Sequence, residues 1–185
     1  MKVFAVYAKV ELTKKPDWLD NFRRKYDEPY EYHITLKQPC IIEDGFVPEI
    51  KNKLNRLFSD LKNPNHKMVL TFDSLNIPMA AQYDICIMIN ATKVDEIKEL
   101  QKCILSALCE YSSYLDIKYK AYEENFQPHI TIGRNLNEQS FLSASKDLKQ
   151  DFACEGAVTE IVLGVVENDT ATEASDPNNQ TVFYL

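Results

Sequence analysis

The order of helix-like and strand-like signals along the chain predicts an α+β protein built as a bilobal, pseudo-twofold duplicated fold. Two observations carry that expectation. Hydrophobic periodicity alternates as β-α-β-α-β and then restarts as β-α-β-α-β-β. The third element of each run also contains the same short phrase, His33-Ile34-Thr35-Leu36 in one and His129-Ile130-Thr131-Ile132 in the other. At 185 residues, the chain has the length of one domain or two small lobes. We expect a single domain over residues 1–185, with lobe one at about 1–78 and lobe two at about 82–185.

Each element has a local reason. Residues 3–10 form a β-rich apolar run with partial alternation. Pro16 suits a first helical turn, and Trp18, Leu19, Phe22 and Tyr26 follow at helical spacing. Residues 32–37 read as a strand. Residues 48–61 read as a helix with Ile50, Leu54, Leu57, Phe58 and Leu61 as its apolar stripe, stopped by Asn63-Pro64-Asn65. Residues 67–75 alternate as a strand and Ile77-Pro78 closes the half. In the second half, residues 83–89 form a strand and residues 93–114 the longest helix, with Val94, Ile97, Leu100, Ile104, Leu105 and Leu108 on one face. The polar passage 118–125 carries no element. A strand at 129–134, a helix at 138–149 and a long strand at 157–167 follow. A turn-rich loop then leads to a closing strand at 181–185.

Composition excludes several classes. Hydrophobic residues at 45% and charged residues at 26% are globular values, which rules out a disordered or collagen-like chain. Twenty-eight acidic against 21 basic side chains give a net charge of −7, so the protein does not grip nucleic acid through a bulk basic field. A phosphate-bearing ligand must instead meet a local basic pocket. The five cysteines, Cys40, Cys86, Cys103, Cys109 and Cys154, form no CxxC pair and read as reduced thiols, consistent with a cytoplasmic protein. Lys9 interrupts the N-terminal apolar run, which reads as a strand rather than a signal peptide, and nothing approaches a membrane span. Asn90, Asn168 and Asn179 begin N-x-T sequons, which matter only in a secreted chain.

Only three histidines are present, and two of them, His33 and His129, stand in the repeated H-I-T phrase, 96 residues apart. On a strand, His33 and Thr35 share one face while Ile34 and Leu36 share the other; His129 and Thr131 stand in the same relation to Ile130 and Ile132. One such triplet is background, and a cross-strand hydrogen bond in a half-buried sheet would explain it. Two copies at equivalent places point to a site. Opening or transferring a phosphodiester needs one group to take a proton and another to give one. Imidazole suits both roles near neutral pH, and threonine hydroxyls can donate to the nonbridging oxygens.

The paired motifs, HITL and HITIGR, resemble those of the 2H phosphoesterase superfamily, in particular its 2′,5′ RNA ligase-like and cyclic phosphodiesterase branch. The resemblance spans essentially the whole chain. It implies two antiparallel sheets lining a central cleft, with helices outside. It also implies His33 and His129 as the catalytic pair and Thr35 and Thr131 as phosphate-binding hydroxyls. The family's usual direction implies His129 as base toward water and His33 as acid toward the 3′ oxygen, leaving a 2′-phosphate. The implied activity is metal-independent hydrolysis of 2′,3′-cyclic phosphate ends or 2′,5′ bonds, with RNA ends or small phosphorylated nucleotides as substrate and no cofactor. A monomer is the default expectation.

Supporting residues follow from position. Lys37 lies two residues beyond Thr35, on the same face of a regular strand, and could supply local positive charge. Arg134 falls on the opposite face unless Gly133 marks a bulge or strand end. Tyr7, Tyr32, Tyr83 and Phe126 could stack a base, although core packing competes for each. His66 lacks a threonine two residues on and reads as a surface histidine. The basic run at 23–25 reads as a solvated helix face. A binding module for RNA ends is the rival reading, weakened because binding needs no pair of proton carriers. A metal site would need a third close ligand that neither motif offers. Residues 118–127 and 168–180 are where substrate choice should lie.

Overall fold

The computed structural model describes residues 1–27, 30–61, 67–77, 85–149 and 151–185. Two long strands form its spine, β1 (Lys2–Lys14) and β6 (Cys154–Val166), paired antiparallel from Val3↔Val166 to Lys14↔Glu155. Beyond β1 lies β2 (His33–Ile42). On the other side of β6, its first half pairs with β3 (Met68–Asn76) and its second half with β7 (Gln180–Tyr184). Then β3 pairs with β4 (Ile85–Thr92), and β4 with β5 (His129–Leu136). The class is α+β, with every pairing antiparallel. The strands form one seven-stranded sheet in the order β2-β1-β6-β3-β4-β5, with β7 on β6; the expected two separate sheets are joined through β6.

The joint at β6 needs a small residue. Gly156 pairs with Leu12 on one side and Leu70 on the other, and a Cβ there would lie 2.7 Å from Val10 Cγ1. The strand pairing also cuts across the two sequence halves. Strand β3 belongs to the first half of the chain but hydrogen-bonds to β4 and β6, while β6 and β7 from the second half complete the β1–β2 side.

The helices cross over in the same way. Helix α1 (Trp18–Tyr26) follows β1 but rests against β5, burying Leu19, Phe22 and Tyr26. Helix α2 (Val47–Leu61) buries Ile50, Leu54 and Phe58, the last ring 5.1 Å from Phe183 of β7. Helix α3 (Asp95–Ala107) buries Ile97, Leu100 and Ile104, and packs against β2 together with α4 (Lys118–Glu124). Helix α5 (Glu138–Asp147), capped by the Asn137 side chain, packs beside α1 on β5, and the short α6 (Ala171–Ser175) lies over β6.

Two sequence expectations change here. Helix α3 ends at Ala107 rather than near 114, so α2, at 15 residues, exceeds its 13. The chain beyond it is held elsewhere, with Tyr114 bridging to Cys40 and Ile41 N–H donating to Ser113 O at 2.7 Å along the outer edge of β2. The polar passage expected to be irregular contains α4. It has no apolar stripe to betray it because its buried side chain is an acid, Glu123. Strand β1 begins at Lys2, so the N-terminal apolar run is a strand, and all five cysteines are free thiols. No helix of the described residues is long and apolar enough to cross a membrane.

Candidate active site

Strands β2 and β5 are the two ends of the linear strand order, yet the twisted sheet curls until they approach one another. Each carries one H-I-T phrase. Burial follows the expected alternation. Ile34, Leu36, Ile130 and Ile132 are at most 1% exposed, whereas His33, Thr35, His129 and Thr131 are half-buried on the opposite face.

The two copies share their backbone surroundings in detail. His33 stands opposite Lys9, Ile34 opposite Ala8 and Thr35 opposite Tyr7; His129 stands opposite Asn90, Ile130 opposite Ile89 and Thr131 opposite Met88. Immediately beyond each threonine the register slips by one residue, so that Val6 meets Lys37 and Ile87 meets Gly133. Such a slip is a β-bulge, and it reverses which later side chains face each way. Ahead of each phrase, Val10 N–H donates to Tyr32 O and Ala91 N–H to Pro128 O, both at 2.8 Å.

The imidazoles are anchored identically. His33 Nδ1 lies 2.8 Å from Glu31 O, and His129 Nδ1 lies 2.7 Å from Gln127 O. A carbonyl only accepts, so each Nδ1 carries the proton and each neutral ring keeps its lone pair on Nε2. Burial pushes the His33 imidazole down to about 4 from an ordinary 6.5, with Arg134 and Arg23 adding to it and the Glu31 carbonyl opposing. His129 is lowered as well, by burial first and then by Arg134. A single guanidinium therefore bears on both rings. The ring of His33 also sits between those of Tyr7 and Tyr30, at centroid distances of 5.3 and 5.6 Å.

The bulges decide the supporting residues. Lys37 does not reach the cleft. It is 1% exposed, with Nζ 3.2 Å from both carboxylate oxygens of Glu123 and over the Tyr114 ring. The bulge at Leu36 turns Lys37 inward and brings Gln38 to the cleft in its place. The equivalent bulge at Ile132 buries Gly133 and turns Arg134 onto the cleft, where it lies over the Tyr30 ring at 4.7 Å and 3.5 Å from the buried Asp27 carboxylate.

Tyr7 lines the cleft. Tyr32 does not: its hydroxyl donates to Asp20 at 2.7 Å and the Arg23 guanidinium covers its ring, so it fastens α1. Phe126 packs against the core. Tyr83 and His66 lie outside the described residues. Sequence reasoning missed Tyr30, Gln38 and Tyr119. Gln38 alone had a signal, since the bulge considered at Gly133, applied to its twin in β2, selects it.

The cleft has a volume of about 1130 Å³ and runs from His33 and Thr35 past Arg134 along the open face of β1, β6 and β7 to Asp169, Thr170 and Thr172. Its local cations are Arg134 and Lys9, the latter paired with Glu31 at 2.8 Å and Glu160 at 3.5 Å. The region 168–180, expected to shape substrate choice, forms one wall, and Tyr119 of α4 belongs to another. Among the described residues no group of three His, Cys, Asp or Glu side chains could hold a metal ion.

An α+β scaffold with an imidazole and a hydroxyl on each of two converging strands defines a 2H phosphoesterase. The chain belongs to the 2′-5′ RNA ligase superfamily, whose family model matches residues 13–170. A curated protein of Geobacillus thermodenitrificans (strain NG80-2), named "Putative phosphoesterase", is 26% identical over 136 residues, covering 72% of this chain and 70% of the relative. Kluyveromyces marxianus Usb1 shares the fold at a TM-score of 0.54 and 9% identity, over 99% of this chain and 98% of that one. A second structure of that protein, with uridine monophosphate, gives 0.53 at 8% identity and the same coverage.

Proposed function

We propose that the protein is a metal-independent phosphoesterase that hydrolyses 2′,3′-cyclic phosphate ends or 2′,5′-phosphodiester bonds of RNA or nucleotides, with His33 and His129 as its acid–base pair. The observation that carries this reading is the shared Nδ1 anchor, which leaves Nε2 as the proton-exchanging atom of both rings. Family membership supports the class, and the uridine monophosphate held by Usb1 supports a nucleotide-sized ligand.

In this scheme water attacks phosphorus and gives its proton to His129 Nε2. The bond from phosphorus to the 3′ oxygen breaks, and that oxygen takes the proton from His33 Nε2, leaving a 2′-phosphate. Thr35 and Thr131 donate to the nonbridging oxygens, and Arg134 meets their charge. In the free enzyme burial and Arg134 disfavour a proton on both imidazoles. An arriving phosphate brings negative charge that offsets the guanidinium and favours a proton on one ring. Since kcat/KM reports the free enzyme, its pH profile should be bell-shaped with an optimum on the acid side of 6.5.

The test is turnover of 2′,3′-cyclic nucleotides and 2′,5′-linked dinucleotides in EDTA by the wild type, His33→Ala and His129→Ala. Loss in both variants with chelator tolerated is expected. Turnover that survives both substitutions, or that EDTA abolishes, overturns the mechanism, and nucleotide binding without turnover leaves the binding-module reading.

A further inference from the structure

Among the described residues, two solvent-shielded side-chain polar atoms lack a hydrogen-bond partner, Asn90 Oδ1 and Arg134 Nε. Both lie beside the second H-I-T strand. Arg134 Nε faces the Asp27 carboxylate at 3.5 Å, so its charge is met. Asn90 Oδ1 is an acceptor with nothing to accept. Leaving such a group buried is destabilising, and an orphan of this kind in a native fold calls for an explanation.

Position supplies one. Asn90 is the direct cross-strand partner of His129, so the two side chains rise from the same face of the sheet. Ile87 and Ile89 of the same strand are wholly buried on the other face. Neutral His129, with its proton on Nδ1, offers a lone pair at Nε2. Two acceptors thus belong to cross-strand partners on one face of the sheet, and neither can satisfy the other. A molecule with two O–H bonds can satisfy both.

We infer that Asn90 Oδ1 and His129 Nε2 together hold the attacking water, one O–H to each, so that its remaining lone pairs face the phosphorus. This rests on the proposed phosphoesterase reaction and deepens it by naming the nucleophile's second anchor. The first half of the fold shows the complementary arrangement. At the position equivalent to Asn90 stands Lys9, opposite His33 and on the cleft. An attacking water needs acceptors and a leaving oxygen needs donors, so Asn90 suits the base side and Lys9 the acid side. During attack the new O–P bond forms from the water oxygen and its proton passes to His129 Nε2. The second O–H, held by Asn90, stays with the product phosphate.

The test uses a nucleophile with one O–H. In aqueous methanol, a 2′,3′-cyclic nucleotide partitions between hydrolysis, giving a phosphomonoester, and methanolysis, giving a methyl phosphodiester. Methanol must spend its one O–H on His129 and has no use for Asn90. For Asn90→Leu, hydrolysis should fall about 100-fold, the scale of a misplaced reactant, while methanolysis falls far less, raising the ratio of methyl ester to monoester. Asn90→Val, which suits a strand, should shift the ratio the same way, and Asn90→Asp, which keeps an acceptor in place, should hold the wild-type ratio. An unchanged ratio in both apolar variants, or equal loss of both reactions, overturns the role of Asn90 while leaving the phosphoesterase intact. A folded wild type that turns over neither substrate class overturns both.

Discussion

The two H-I-T halves share one backbone plan and carry different side chains on it. Both have the same cross-strand register, the same bulge after the threonine and the same Nδ1 anchor. At matched positions, however, the first half has Tyr7, Lys9, Lys37 and Gln38 where the second has Met88, Asn90, Gly133 and Arg134. The frame fixes where imidazole and hydroxyl stand, and the exchanged residues decide the charge and hydrogen-bonding partners each half offers. On the proposed reaction, Lys9 opposite His33 stands on the leaving-group side and Asn90 opposite His129 on the attacking side, while Arg134 of the second half supplies the cleft's guanidinium.

The comparison is broken most severely at the imidazoles. His33→Ala and His129→Ala should each lower kcat/KM by about 100- to 10,000-fold. The double variant should add little, because the two act as a unit; additive losses would mean that the halves work separately. Next comes the Gln38/Arg134 pair. Arg134→Met should cost about 10- to 100-fold, the worth of one charge-assisted hydrogen bond, mostly in KM. It should also move both limbs of the pH profile upward, since the guanidinium lowers both histidines. Gln38→Leu should cost less and leave both limbs in place.

The Lys37/Gly133 pair should respond in stability. Lys37→Met strands the Glu123 carboxylate in the interior and should cost about 3–5 kcal/mol, with Lys37→Met/Glu123→Gln recovering much of it; denaturant melts check both. Gly133→Ala places a Cβ in ordinary contact, 3.4 Å from Ile87 Cβ and Leu136 Cδ1, and should be milder. Stability should also depend on pH. The folded protein holds His33 near 4 while the unfolded chain protonates it near 6.5. The unfolded state therefore binds the extra proton between those values, and stability falls as pH drops through that window. His33→Gln should flatten that part of the curve.

What could be read beforehand depended on local periodicity. The H-I-T alternation placed Ile34 and Ile130 inward and His33 and His129 outward, because side-chain direction on a strand is set by the residue's own backbone. The apolar stripes of α1, α2 and α3 were visible for the same reason. One feature decides Lys37 and Arg134, a bulge that depends on pairing with a neighbouring strand and that only Gly133, in the second phrase, hints at. Tyr32 stands in the sequence only as one of several aromatics that could stack a base or pack in the core, because its bond to Asp20 is made only when α1 folds down.

The sequence alone determined the α+β class, the duplicated phrase and the shared strand face of His33 with Thr35 and of His129 with Thr131, on which the proposed chemistry rests. Tertiary structure decided that β2 and β5, at opposite ends of one sheet, come together, and that β6 joins strands of both sequence halves into that one sheet. It also decided which cation enters the cleft and which is buried against Glu123. Side-chain alternation is a property of single strands, and is written where it acts. Sheet curl, bulges and helix crossover arise from pairing between distant segments, and that pairing exists only once the chain has folded.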